Sequence, residues 1–73
     1  MKMTREEWTK EFARRMVARM EELNISQLKL AKLTGISQPC IGQYMMGKHA
    51  PTAYNLRKLC FGLAMTSSEL IDF

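Results

Sequence analysis

A chain of 73 residues has room for one small domain, whose large surface relative to its core makes it marginally stable. About 47% of the residues are apolar, a globular composition, and 11 basic against 7 acidic side chains leave a formal charge of +4. No apolar run is long enough for a membrane-spanning helix, and the N-terminus lacks the apolar block of a signal peptide. The positive balance suits a nucleic-acid surface and suits solubility equally, so the placement of the charges decides more than their sum. Cys40 and Cys60 form no Cys-x-x-Cys pair, and the lone His49 has no acidic or second histidine neighbour, so no metal or other cofactor is expected. Both cysteines read as free thiols, at least one of them in the core, which fits a reducing cytoplasm. The scattered Met1, Met3, Met16, Met20, Met45, Met46 and Met65 read as irregular core filling.

Met1 to Met3 form a short lead-in, and Thr4 with Glu7 has the spacing of a capping box. Trp8, Phe12, Met16, Met20 and Leu23 then recur at helical spacing and predict a first helix ending near Asn24. Arg5, Lys10, Arg14, Arg15 and Arg19 fall mostly between the apolar positions. A helix lying on a membrane surface has the same pattern, but apolar patterns continue downstream and give this stripe something to pack against.

Ser26 is a natural N-cap for a second helix, opened by Gln27, with Leu30, Ala31 and Thr34 on one side and Leu28 and Leu33 elsewhere. Gly35 suits a left-handed helix end, Ile36 can plug the turn into the core, and Ser37 caps a third helix that tolerates Pro39 in its first turn. Ile41, Tyr44 and Met45 face inward in this helix, and Gln38, Gly42, Gln43 and Met46 share the other side. Gly47 to Pro51 is a loop carrying Lys48 and His49. Thr52 caps a fourth helix with Leu56, Leu59, Cys60 and Leu63 inward, in which Gly62 is explained by a close neighbour. Thr66 and Glu69 repeat the capping-box spacing before a short fifth helix with Leu70, Ile71 and Phe73, which complete the core or form a subunit contact.

Two short helices at a steep angle, the second exposed, suit the major groove of DNA, which is about 12 Å wide and admits one helix. The amino end of the first of the pair, at Gln27, can meet a phosphate. Gln38 starts the exposed helix, and a glutamine amide can pair with adenine N6 and N7; Gln43 can reach a further base or a phosphate. Lys48 and His49 follow that helix and are candidates for backbone contact. Pro39 either preshapes the turn or touches a thymine methyl, and Gly42 either lowers the outer surface or relieves packing. Each of these residues has an ordinary alternative as a solvated surface or loop side chain.

The unit Gln27-x-x-Leu30-Ala31-x-x-x-Gly35-Ile36-Ser37-Gln38-x-x-Ile41, followed by Gly47 and Pro51, resembles the Cro/lambda-repressor-like helix-turn-helix family over nearly the whole chain. The resemblance implies an all-α, compact five-helix domain spanning residues 1–73, with the helix-turn-helix at about 26–46. It implies a transcription regulator, often of a phage or prophage, that binds a palindromic operator in double-stranded DNA as a homodimer. It puts Gln38, Pro39 and Gln43 at base edges and Gln27, Lys48 and His49 at the DNA backbone, with Gln27 also supporting the recognition helix. The chain departs from the family in three places. Pro39 stands where a polar residue often reads a base. Met45 stands where many relatives have a glutamate paired with a first-helix arginine, which leaves Arg19 facing solvent or DNA. Ala64 replaces the frequent glycine after helix four, so that helix end lacks its usual residue.

Repression by blocking polymerase is the first expectation, with activation through contact with RNA polymerase or another protein left open. A cytoplasmic, DNA-associated location goes with either. The alternative is a protein-interaction module, such as an antitoxin-like partner or a regulator of another DNA-binding protein, using an apolar patch of Leu28, Leu33, Met46 and Phe73. RNA binding is disfavoured by the lack of interleaved exposed aromatics. An enzyme is not expected, because no nucleophile–base pair or carboxylate constellation is visible.

Overall fold

The computed structural model describes residues 3–73, so Met1 and Lys2, the start of the expected lead-in, lie outside the described residues. Five helices follow in order: α1 (Arg5–Leu23), α2 (Gln27–Thr34), α3 (Gln38–Met45), α4 (Ala53–Leu63) and α5 (Ser67–Ile71). Each begins at a hydroxyl residue in extended conformation, namely Thr4, Ser26, Ser37, Thr52 and Thr66, whose side chain accepts an amide hydrogen from the first turn. Such a cap stabilises a helix by about 1 kcal/mol, which matters for helices as short as α2, α3 and α5. The reciprocal capping boxes expected at Thr4/Glu7 and Thr66/Glu69 are both formed.

The apolar stripes of the helices meet in one core. Phe12, Met16, Leu30, Ile41, Leu59, Leu63 and Leu70 are fully buried there, so every helix contributes. Complete burial of such a side chain contributes about 1.5–3 kcal/mol. Trp8 stacks on Phe12, and Phe12 meets Tyr44 edge-on with ring centroids 6.1 Å apart. Gly62 permits the tight crossing of α2 and α4: a Cβ there would lie 2.7 Å from Thr34 Cγ2 and 3.0 Å from Leu30 Cδ1. The roughly 1 kcal/mol that a helical glycine costs is offset by this approach.

Three expectations change. Phe73 is not part of an exposed patch, because it packs against Trp8 with centroids 5.5 Å apart and lies under the Arg15 guanidinium at 4.6 Å. Arg19 is not left facing solvent. Its Nε donates to the Leu63 carbonyl at 2.9 Å and its Nη2 to the Ala64 carbonyl at 3.1 Å, closing the C-terminal end of α4. Ala64 itself takes the left-handed conformation (φ 53°) that glycine usually supplies, so Arg19 holds a helix end that its own sequence disfavours. Neither cysteine is fully buried; both are free thiols packed against the edge of the core. Met16 and Met20 fill the interior with Met45 and Met65 packed against it, and Met46 is exposed as its place on the outer side of the third helix predicts.

Candidate nucleic-acid interface

The turn between α2 and α3 is built from local bonds. Gly35 closes α2 at φ 75°, with its amide donating to the Ala31 carbonyl at 2.9 Å. The buried Thr34 hydroxyl donates to the Leu30 carbonyl at 2.8 Å and accepts from the Ile36 amide at 3.2 Å. Ile36 is buried, so the turn is pinned to the core at its centre and tied at both ends.

Gln27 acts across this turn. Its Nε2 donates to the Gln38 carbonyl at 2.9 Å, joining the first residue of α2 to the first residue of α3. Gly42 makes the bond possible, because a Cβ at that position would lie 2.9 Å from Gln27 Nε2. Of the two readings of Gly42, relief of packing is therefore the one the geometry bears out. Gln38 and Pro39 are exposed at the amino end of α3, and Gln43 is half-buried one turn beyond Pro39. Lys48 and His49 are exposed beyond Gly47, which has φ 69°, and the Lys48 amide donates to the Gln43 carbonyl at 3.1 Å. The hydroxyl of the buried Tyr44 accepts from Asn55 Nδ2 at 2.9 Å, which links the end of α3 to the start of α4. Burial pushes the Tyr44 hydroxyl upward in pKa, with the Asn55 bond opposing the shift.

Charge is divided along the chain. No aspartate or glutamate occurs from Leu23 to Ser68, and that stretch carries Lys29, Lys32, Lys48, Arg57 and Lys58. All ion pairs among the described residues lie within α1: Lys10–Glu6, Arg14–Glu11, Arg15–Glu11 and Arg19–Glu22. The cations of the helix-turn-helix segment therefore have no carboxylate partner among the described residues, and their field is available to an anion. Sequence reasoning missed this division, although a count of acids along the chain would have found it. It also missed Arg5, which borders the same depression of about 350 Å³ as Lys48 and His49, alongside Glu6, whose carboxylate pairs with Lys10. No local signal could have found that neighbour, since the fold alone brings the start of α1 to this loop.

Among the described residues no cluster of metal-ligating side chains is present and no helix is long and apolar enough to cross a membrane. A helix-turn-helix family model matches residues 16–69. That match covers most of the chain, so the chain belongs to the helix-turn-helix family. The motif supports a DNA-binding regulatory function. No curated protein and no solved structure gives a match.

Proposed function

We propose that the protein is a sequence-specific regulator of transcription of the Cro/lambda-repressor-like kind, which represses by occupying a palindromic operator as a homodimer. The observation that carries this reading is the bond from Gln27 to the Gln38 carbonyl, which braces the exposed amino end of α3 within a segment that has cations and no acids. In this reading α3 enters the major groove. Gln38 reads a base edge, Pro39 touches a thymine methyl or shapes the turn, and Gln43 reaches a second base. Gln27 keeps one amide hydrogen to donate to a backbone phosphate, and its carbonyl oxygen can accept from water. Lys48 and His49 approach the backbone, and Arg5 is added to them because it borders the same depression.

The two recognition helices of a dimer would sit about 34 Å apart, one turn of DNA. Repression follows if the operator overlaps a promoter; contact with RNA polymerase would give activation instead. The phage or prophage setting and the cytoplasmic, DNA-associated location belong to the same proposal. Selection from a randomised duplex library, followed by affinity measurement on enriched and scrambled duplexes at one salt concentration, tests it. An enriched palindrome bound roughly tenfold or more tightly than scrambled DNA is expected. Uniform weak binding to all duplexes would overturn sequence reading.

A further inference from the structure

The groove between the C-terminal end of α2 and the outer face of α4 has no role in the proposed DNA contact. Phe61 and Tyr54 are the most exposed large apolar side chains, at 78% and 71%, and Leu33 is 42% exposed. The three line one depression of about 310 Å³ together with Thr34, Arg57 and Lys58. Tyr54, Lys58 and Phe61 recur at helical spacing, so they form a continuous face of α4. Thr34 lies against Gly62, where α2 and α4 approach most closely, and forms the floor.

The rim is cationic. Lys58 Nζ sits 4.3 Å from the centre of the Tyr54 ring, so the aromatic wall and the positive charge are held together. Arg57 is exposed and has no carboxylate partner among the described residues. Lys29 lies one turn before Leu33 on α2, and the stretch from Leu23 to Ser68 has no acid with which to neutralise these charges.

We propose that this groove binds an acidic segment of a partner protein that carries aliphatic or aromatic anchors. The apolar walls accept the anchors, and the cations pair with flanking carboxylates, the arrangement expected of a short amphipathic segment laid in a groove. A second copy of the chain is a poorer occupant: a twofold contact through this face would set Arg57 and Lys58 against the same cations of the other copy. DNA is poorer too, because phosphates have no use for the exposed Phe61 and Tyr54 rings.

This inference stands independently of the DNA-binding proposal, and its test separates the two. A displayed library of random peptides about 12 residues long is selected on the full chain, and the enriched peptides are then measured in solution at low and high salt. Enrichment of peptides with aspartate or glutamate around leucine, isoleucine, phenylalanine or tryptophan is expected. Their affinity should fall roughly tenfold or more in Phe61→Ser and in Arg57→Glu, fall with added salt, and survive Gln38→Ala. Both mutated side chains are exposed, and thermal melts confirm that each variant is folded. No enrichment, enrichment of neutral or basic peptides, or loss of binding in Gln38→Ala would overturn the proposal. So would concentration-dependent self-association that Phe61→Ser abolishes, which would give the groove to a second copy. Loss of peptide binding in Phe61→Ser with duplex binding intact would separate this site from the DNA-reading one.

Discussion

The first helix and the segment that follows it use the same kind of side chain for opposite ends. In α1, Arg14 and Arg15 both bond Glu11, Lys10 pairs with Glu6, and Arg19 closes the far end of α4. Apart from Arg5 at its start, its cations are satisfied within the chain. Between Leu23 and Ser68 the cations have no acidic residue available in the same stretch, and Lys48, Arg57 and their neighbours form no ion pair among the described residues. A net charge of +4 therefore understates the contrast, because the neutralising charge sits in α1 and at Glu69 and Asp72 near the C-terminal end. Charge that holds a fold together and charge that meets a partner are distinguished by what already surrounds each group, which the total does not reveal.

The sharpest way to break this contrast is Arg19→Ala. Two charge-assisted bonds to the Leu63 and Ala64 carbonyls would be lost at a helix end already burdened by a left-handed alanine. A loss of about 2 kcal/mol is expected, or a fall of roughly 10 °C in Tm. Duplex affinity measured well below that Tm should be unchanged. An unchanged melt with weakened DNA binding would place Arg19 on the other side of the comparison.

Gln38→Ala and Lys48→Ala probe the outward-facing segment and should leave Tm nearly unchanged. Gln38→Ala is expected to reduce discrimination at one base pair by about 1–3 kcal/mol. Lys48→Ala is expected to weaken binding to all duplexes and to lower the salt slope by about 0.9. Equal losses on cognate and scrambled DNA for Gln38→Ala would remove its base-reading role, and an unaltered slope would remove the phosphate role of Lys48.

What was legible in the sequence was local. Thr4 with Glu7 and Thr66 with Glu69 announce helix starts because their partners lie three residues apart, and both boxes form. Gly35 and Ile36 mark the turn, since one conformation and one buried side chain define it. Long-range bonds were not legible. Arg19 reaches carbonyls 44 and 45 residues away, and backbone oxygens leave no trace in residue identity. Phe73 was misplaced for the same reason, as its partners Trp8 and Arg15 lie at the other end of the chain. For the candidate site, the resemblance implied that Gln27 supports the recognition helix, but its bond to the Gln38 carbonyl was not legible, because a backbone oxygen leaves no trace in residue identity.

Smaller effects sharpen the inward-facing side. Ala64→Gly removes the cost of a left-handed Cβ and should stabilise the fold by about 1 kcal/mol, less any loss from the more flexible unfolded chain. In an Arg19→Ala background the two changes should not add simply, because both act on the end of α4. The mildest test is acid. The bonds from Arg14 and then Arg15 hold the Glu11 carboxyl down at about 2, from an ordinary 4.5. A carboxyl depressed by folding adds stability that is complete above its unfolded value and is lost as pH falls toward its folded one. Stability should therefore decline from about pH 4.5 to about 2, with Glu7 and Glu69 contributing because the bonds to Thr4 and Thr66 lower them too. Glu11 is at the surface, so Glu11→Gln should lower Tm only slightly at neutral pH and should flatten the decline below pH 4.5. A variant that melts with the same acid profile as the parent would mean that the α1 pairs are loose in solution. The cations of α1 would then be as available to a partner as those between Leu23 and Ser68, and the contrast between the two regions would fail.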